Sequence, residues 1–315
     1  MFDRTYKSPT LVHVGVLMAN YFCCQSRGEV HRALSLLAEA CQLTYFLRMH
    51  EDLPDEQNVI ERELRRRIFW HVYAVDITEA CAGNMIHLNE FEGLPSLPLV
   101  VDDELITPRG AFAQAGSVSY MAGFNGCVQL FPLLAEVVVR SKRLARRREP
   151  LSAGEVEREL AWEADLRATL DGMVAALPPQ LRAGWVDGDV EADVESSRDA
   201  IVGMQRANIF VTESSLRICL LDYISEIVPS EEVAEARSSL ARRAYDALSS
   251  FPLDHLAANG ESIRGKIFRI VMALLKTPDM DADWVDMVHN WWGLFSRVNF
   301  VQLGPPSIAL DSESD

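Results

Sequence analysis

The chain has 315 residues, of which 49% are hydrophobic and 24% are charged, and its formal net charge is −16. This hydrophobic content excludes a globally disordered chain, because it provides enough apolar surface to bury a large core. The excess of acidic residues argues against direct DNA binding, which depends mainly on Lys and Arg neutralising phosphates. One large helical domain or two fused layers would fit this length.

Helical periodicity dominates the sequence. We predict helices over residues 9–25, 29–49, 55–82, 117–146, 153–176, 197–227, 231–250, 261–276 and 281–298. Ser152 and Glu155 have the spacing of a capping box, and Pro178-Pro179 ends the helix that follows it. No alternating strand pattern extends beyond residues 98–101. The sequence therefore predicts an all-α fold, a large bundle of antiparallel helices with no substantial sheet.

Two uncharged stretches, residues 8–26 and 110–135, have the length of a membrane span. Each is interrupted by proline and by amide side chains, and the second also contains four glycines. We expect buried helices rather than a membrane partner.

The six cysteines are scattered along the chain, at Cys23, Cys24, Cys41, Cys81, Cys127 and Cys219. A two-zinc cluster also needs six thiolates, but it needs them in close pairs that can share a tetrahedral metal. Only the first two are close, and adjacent residues of a helix point about 100° apart. We expect no metal site in this chain, small buried thiols and a reducing compartment.

The segment from residue 61 to residue 76 is the most informative one. A basic triplet, Arg65 to Arg67, is followed by Phe69-Trp70 and then by Asp76. Apolar residues recur at steps of three and four, as in a helix with one buried face. This predicted stripe consists of Ile60, Leu64, Ile68, Val72 and Val75. Spacing alone favours a core helix whose arginines are solvated.

The order of residues in this segment resembles the signature of the fungal transcription factor regulatory domain. This domain is the middle homology region of xylanolytic-activator-like factors, and it follows a binuclear zinc-cluster DNA-binding domain. The signature residues here are Glu61, Arg65, Arg66, Arg67, Trp70, Asp76 and Gly83. The resemblance covers most of the chain, because further segments fit in order: Tyr21 to Glu51, Leu97-Pro98, Asp102 to Glu104, Leu177 to Arg182 and Trp291 to Phe295.

The chain departs from the family pattern at three places. The family usually has Leu-Gly-Leu-His-Arg where this chain has Leu47 to Glu51, so Arg48 replaces a glycine. It usually has Gly-Arg-Pro where this chain has Gly83-Asn84-Met85. The segment from Ile86 to Ser96, about ten residues, looks stretched relative to the common form. These changes affect a ligand or partner role of that loop rather than the fold.

We interpret residues 1–303 as the regulatory domain, with an acidic mobile linker near 183–196 and a disordered acidic tail at 304–315. We assign structural roles to the signature. Trp70 anchors the helix in the core, the three arginines pair with nearby acids, and Asp76 holds a cation or caps a neighbouring helix.

Motifs that would indicate catalysis or metal binding are incomplete. Residues 260–266 imitate a phosphate-binding loop, but Ile267 stands where Ser or Thr should hold magnesium. Residues 279–290 begin like a calcium loop, but Trp284 occupies the glycine position. The histidines have no ligand-like spacing. We predict that the chain is not an enzyme and has no catalytic residue, metal or cofactor.

The resemblance implies a transcriptional regulator, the effector part of a zinc-cluster-type factor that controls RNA polymerase II transcription in the nucleus. Zinc is expected only in the DNA-binding module, which we expect to be absent from this chain. The implied partners are other transcription factors or co-regulators, with a small-molecule effector as a further option. Two alternatives stay open: a helical ligand-binding or protein-interaction module acting on a full-length regulator, and an all-helical enzyme.

Overall fold

The first three helices form the N-terminal part of the fold. The structure, a computed structural model, describes residues 8–52, 58–112, 116, 118–185, 197–275, 286, 289, 290 and 293. Helix α1 (Leu11–Ser26) and helix α2 (Val30–Phe46) pack against each other and against helix α3 (Val59–Cys81). Helix α3 begins where the Asn58 side chain accepts a hydrogen bond from the backbone N–H of Glu61 at 2.8 Å, which satisfies one free donor of the first turn.

The remaining described residues are also mainly helical. In chain order they form α4 (Tyr120–Val128), α5 (Leu130–Ala145), α6 (Ala153–Ala176), α7 (Ser197–Ile227), α8 (Glu231–Ser250), α9 (Leu253–Ala257) and α10 (Glu261–Leu275). Two short strands, β1 (Ile106–Thr107) and β2 (Gly110–Ala111), pair antiparallel. The predicted all-α fold is confirmed. Most of the predicted helix 281–298, residues 186–196 of the predicted linker and the tail 304–315 lie outside the described residues.

The single helix predicted over 117–146 is two helices, with a break at Gln129. Pro132 explains the break, because proline lacks an N–H and its ring clashes with the carbonyl four residues earlier, here that of Val128. The combined stretch Tyr120–Ala145 is apolar and long enough to cross a membrane. However, 56% of its most apolar 18-residue segment is buried inside the fold. This burial is typical of core helices in a folded domain.

Two apolar clusters fill the interior, and α7 contributes to both. Leu216 and Leu220 of α7 join the larger cluster, which draws on α1 to α6. Val211 and Ile218 join the smaller cluster, which α7 shares with α8, α9 and α10. A helix with apolar residues on more than one side is buried on more than one side. Helix α7 therefore connects the N-terminal part of the fold to its last helices.

The predicted apolar stripe of α3 is wrong in its first half. Val72 is fully buried, but Ile60 is 39% exposed and Leu64 is 46% exposed. The buried residues of these first turns are Glu63 and Arg65, which lie on nearly opposite sides of the helix. Each side chain binds the backbone of a different segment that covers the helix, and Ile60 and Leu64 lie outside these covered sides.

Helices α2 and α3 end with the same backbone geometry but with different residues. At each end, one residue donates its N–H to a carbonyl three residues back, and the next residue donates to a carbonyl five residues back. This Schellman motif places the first residue beyond the cap in the left-handed region. The φ angle is 97° at Gly83 and 54° at Arg48. Arg48 thus adopts a glycine conformation at the position where the family resemblance expects glycine.

Replacing Arg48 with glycine tests this strain. We expect Arg48→Gly to raise the free energy of unfolding by about 1 kcal/mol, because a side chain in the left-handed region costs roughly 1–2 kcal/mol and glycine loses part of that gain through its greater unfolded-state entropy. Urea unfolding monitored by circular dichroism measures the change.

Arg48→Ala is the control. It removes the ion pair between Arg48 and Glu51 but keeps the Cβ atom, so we expect no stabilisation. Equal unfolding free energies for the two variants would contradict the strain at this position.

Candidate functional site

The signature arginines of α3 reach the loops that surround the helix. The Arg65 guanidinium is buried and donates to the backbone carbonyls of Leu47 and Arg48. These partners are backbone carbonyls, whereas we predicted that each of the three arginines pairs with an acid. Arg67 does contact an acid, because its guanidinium donates to the Asp103 carboxylate.

Arg66 lies at the centre of a network that joins two loops to α3. Its guanidinium donates to Asp52 at 2.7 Å and to Glu63 at 3.1 Å. The other oxygen of the buried Glu63 carboxylate accepts the backbone N–H of Leu99 at 2.7 Å. The second Asp52 oxygen accepts the backbone N–H of Ser96 at 3.0 Å. Each of these carboxylates is thus shared between an arginine of the helix and the backbone of the 96–99 loop.

Trp70 is buried in the core beneath the same loop. Its ring is 4% exposed and meets Phe69 and Tyr73 edge to face, with centroids 6.1 Å and 5.8 Å away. Its indole N–H donates to the backbone carbonyl of Ser96 at 3.2 Å. The side chain therefore joins apolar packing to the polar network of Arg66.

Asp76 is fully buried and holds the chain that follows α3. One carboxylate oxygen accepts the backbone N–H groups of His87 and Leu88, both at 2.8 Å. The other lies 2.7 Å from the Nδ1 atom of His87. The carboxylate therefore binds a loop backbone rather than the end of a neighbouring helix.

A metal could in principle join this group, because Cys41, Asp76 and His87 each place one ligand atom within 4.8 Å of the others. Hydrogen bonds already use both oxygens of Asp76. Burial, followed by the charge of Asp76, raises the pKa of the Cys41 thiol well above its usual range, which opposes the thiolate that a metal needs. These contacts account for the arrangement without a metal, and the absence of a metal site stays a prediction.

The two ends of the signature have local roles. Glu61 is exposed and lies in the first turn of α3, where its N–H reaches the Asn58 cap. A carboxylate there also interacts favourably with the positive end of the helix dipole. Gly83 provides the left-handed residue of the Schellman motif described above. The signature therefore consists of residues that lie at the two ends of α3 and residues that attach loops to it.

A cavity of about 660 Å³ lies at the other end of α3, away from the Arg66 network. Side chains of α1, α2, α3, α5, α7 and α10 line it. Its apolar lining residues are Phe22, Val30, Val75, Leu134 and Phe268, and its polar ones include Tyr21, Gln25, Glu79, Asn84, Arg264, Lys266 and Arg269. This volume fits a small organic molecule.

One wall of the cavity is a hydrogen-bond network around Glu79. Its carboxylate accepts from the Tyr21 hydroxyl, from Gln25 at 2.6 Å and from Asn84 at 2.8 Å. Burial, followed by the hydrogen bond to Glu79, raises the pKa of Tyr21. The hydroxyl therefore stays a donor, and the Glu79 carboxylate attaches α1 to the end of α3.

The opposite wall is cationic and belongs to α10. The Lys266 ammonium is buried and donates to the hydroxyl of Thr212 at 2.8 Å and to the side-chain carbonyl of Asn208 at 3.3 Å. Burial lowers the pKa of Lys266. The ammonium also lies 5.2 Å from the ring centroid of Phe131. Both hydrogen-bond partners of the Lys266 side chain are neutral, and the same wall contains Arg264 and Arg269. An anionic group could pair with these basic side chains.

The N-terminal part of the chain has recognisable relatives. Residues 2–132 match the family model of the fungal specific transcription factor domain. This part of the chain is therefore similar to the fungal specific transcription factor domain. The transcription factor asqA of Emericella nidulans is 33% identical over 84 residues, which is 26% of this chain and 14% of that protein. No solved structure gives a significant match.

The border of the fungal specific transcription factor domain match runs through the cavity. Helices α1 and α3 lie inside the matched residues, whereas α7 and α10 follow them. A molecule in the cavity would therefore contact both parts of the chain. The structure joins these parts elsewhere as well, because α4 and α5 pack on α7.

Lys266 is a lining residue of the cavity that was not predicted from the sequence, where it is only part of an incomplete phosphate-binding loop. A usable signal was present, because Lys266 lies on the same face of α10 as Ile263, Ile267 and Ile270. All three isoleucines are buried. A lysine on the same face must either be buried with them or extend its side chain until the ammonium reaches solvent.

The contribution of Trp70 to stability can be measured by truncating its side chain. We expect Trp70→Ala to lower the free energy of unfolding by about 3–5 kcal/mol, because it removes a large buried ring and leaves a cavity. Urea unfolding gives the value.

Two further variants show which contacts of Trp70 stabilise the protein. Trp70→Phe keeps an aromatic ring but loses the hydrogen bond to Ser96, so we expect a smaller loss of about 1–2 kcal/mol. Phe91→Ala alters a side chain that is 91% exposed and should change little. A Trp70→Ala protein as stable as the Phe91→Ala protein would show that Trp70 does not anchor the core.

Proposed function

We propose that this chain is the regulatory domain of a fungal zinc-cluster-type transcription factor that acts on RNA polymerase II transcription in the nucleus. The match of residues 2–132 to the fungal specific transcription factor domain carries this proposal. The similarity to a transcription factor of Emericella nidulans supports it. The matched family is a transcription factor domain rather than an enzyme class, which favours regulation over catalysis.

The charge of the chain supports separate modules for DNA binding and for regulation. A body with a net charge of −16 repels the phosphate backbone, and its six cysteines are free thiols spread over several helices. Contact with DNA would therefore be the task of a separate, basic zinc-cluster module. The surface of this chain would recruit co-regulators or other transcription factors.

The cavity supports control by a small molecule. A ligand that touches α1 and α3 on one side and α7 and α10 on the other would favour one arrangement of these helices over another. Lys266 and Arg269 on one wall, and apolar side chains beside them, suit an amphipathic molecule with a carboxylate or phosphate. We propose this class of molecule as the effector.

A reporter assay tests the regulatory role. The whole chain is fused to an unrelated DNA-binding domain and expressed in a fungal cell with the matching promoter. We expect transcription to change several-fold relative to the DNA-binding domain alone, because a regulatory domain acts on the promoter to which it is attached. Trp70→Ala, which destabilises the core, should abolish the change, and Phe91→Ala should preserve it.

The proposal would be wrong if the fusion and the DNA-binding domain alone gave equal transcription, with and without added metabolites.

Thermal unfolding with medium-chain and aromatic carboxylic acids tests the effector. A ligand that binds only the folded state raises the melting temperature. We expect at least one such acid to do so for the natural chain, and we expect Lys266→Met to weaken its binding about tenfold, because the substitution keeps the apolar stem and removes the charge.

Arg146→Met is the matched control, since Arg146 is exposed and lies outside the cavity lining. Equal shifts for Lys266→Met and Arg146→Met, or no shift with any acid, would argue against an anionic ligand at this wall.

A further inference from the structure

Two thiols and a guanidinium meet where α3, α7 and α10 come together. Cys81 is the last residue of α3, Cys219 lies in α7, and the two thiols are hydrogen bonded to each other. Arg269 of α10 donates to the Cys219 sulfur at 3.3 Å and to the backbone carbonyl of Cys81 at 2.7 Å. The guanidinium therefore bridges the Cys219 side chain and the Cys81 backbone, and it keeps the two residues close to each other.

The surrounding charges make the two sulfur atoms unequal. The hydrogen bond from Cys81, and then the charge of Arg269, lower the pKa of Cys219 to about 7, although burial and Asp222 oppose this change. The pKa of Cys81 is raised, first by the same hydrogen bond and then by burial, against the charges of Arg269 and Lys266. Cys219 is thus the better thiolate, and Cys81 is the proton donor beside it.

The cavity gives small reagents a route to this pair. Cys81 and Arg269 are both lining residues, and Cys81 is partly exposed, whereas Cys219 is buried behind it. Buried cysteines in apolar surroundings are usually inert, and reactive ones are found beside cations with access to solvent. Cys81 has access to the cavity, and Cys219 lies beside the cation Arg269, so the two residues together meet the second description.

We propose that Cys81 and Cys219 are a redox-active pair that a small hydroperoxide, entering through the cavity, converts into a reversible disulfide between α3 and α7. The proposal is independent of the transcriptional role, because it concerns the chemistry of the folded chain alone.

The reaction proceeds in two steps. The Cys219 thiolate attacks one peroxide oxygen, the O–O bond breaks, and the leaving hydroxide takes up a proton to become water, which leaves a sulfenic acid on Cys219. The Cys81 sulfur then attacks the Cys219 sulfur, the S–O bond breaks, and the departing hydroxyl leaves as water with the Cys81 proton. Overall, two thiols and one hydrogen peroxide give one disulfide and two waters.

The disulfide would change the surroundings of the cavity. Arg269 would lose the thiolate that it now stabilises, while α3 and α7 would become covalently joined. Cys81 lies within the residues that match the fungal specific transcription factor domain, and Cys219 lies beyond them. In a reducing compartment the bond would form only during exposure to oxidant and would revert afterwards.

Mass mapping of the natural chain tests the pair without any substitution. The reduced, folded protein is treated with hydrogen peroxide, its free thiols are blocked with N-ethylmaleimide, and it is digested. We expect a cross-linked peptide that contains Cys81 and Cys219 and disappears after reduction. The proposal is overturned if both cysteines are recovered as N-ethylmaleimide adducts while another cysteine is oxidised.

Single substitutions assign the order of attack. In Cys81→Ser the sulfenic acid on Cys219 cannot be resolved, so dimedone should label Cys219. In Cys219→Ser neither the disulfide nor the dimedone label should form. Cys23→Ser, which changes an exposed thiol, should leave the cross-link unchanged. Dimedone labelling of Cys81 in the Cys219→Ser protein would contradict Cys219 as the attacking group.

The pH dependence of the first step gives a further readout. The reaction rate follows the thiolate fraction of Cys219, so we expect it to rise about tenfold between pH 6 and pH 8 and to level off above that. Arg269, Lys266, Asp222 and Cys81 are the neighbouring groups that set this range. If the reaction rate rose about a hundredfold between pH 6 and pH 8, the attacking thiol would have an ordinary pKa. Cys219 would then not be the attacking group.

Discussion

The structure depends on the need to give partners to the buried charges of α3. Glu63, Arg65 and Asp76 all lie in the interior, and a buried charge without hydrogen bonds costs several kcal/mol. The partners are backbone groups of the loops on either side of the helix. Each charge therefore fixes one loop, and the fold on this side of the chain follows from those attachments.

Helix α7 has the corresponding role on the apolar side. It contributes to both hydrophobic clusters, so the part of the chain that matches the fungal specific transcription factor domain cannot move independently of the last helices without breaking apolar contacts. The cavity lies at this junction, with Glu79 on the α3 wall and Lys266 on the α10 wall. A site at such a junction is suited to regulation, because its occupant contacts both parts.

The helices themselves were largely predictable from local physics. The capping box at Ser152 and Glu155 marks the start of α6, and the structure places it there. The errors have specific causes. Pro132 divides one predicted helix into two. The apolar stripe of α3 fails at Ile60 and Leu64, because the segments that cover its first turns bind the charged side chains of Glu63 and Arg65. Burial at those two positions was decided by long-range contacts.

The fold class, most helix boundaries and the family signature could be predicted from the amino-acid sequence, because helix periodicity, capping and motif order depend on residues that are close along the chain. Three features required the folded chain: the contact of Lys266 with Thr212, the glycine conformation of Arg48, and the position of Cys81 near Cys219. These pairings join distant segments, and their energies depend on burial and on neighbouring charges. Neither quantity exists until the helices have packed.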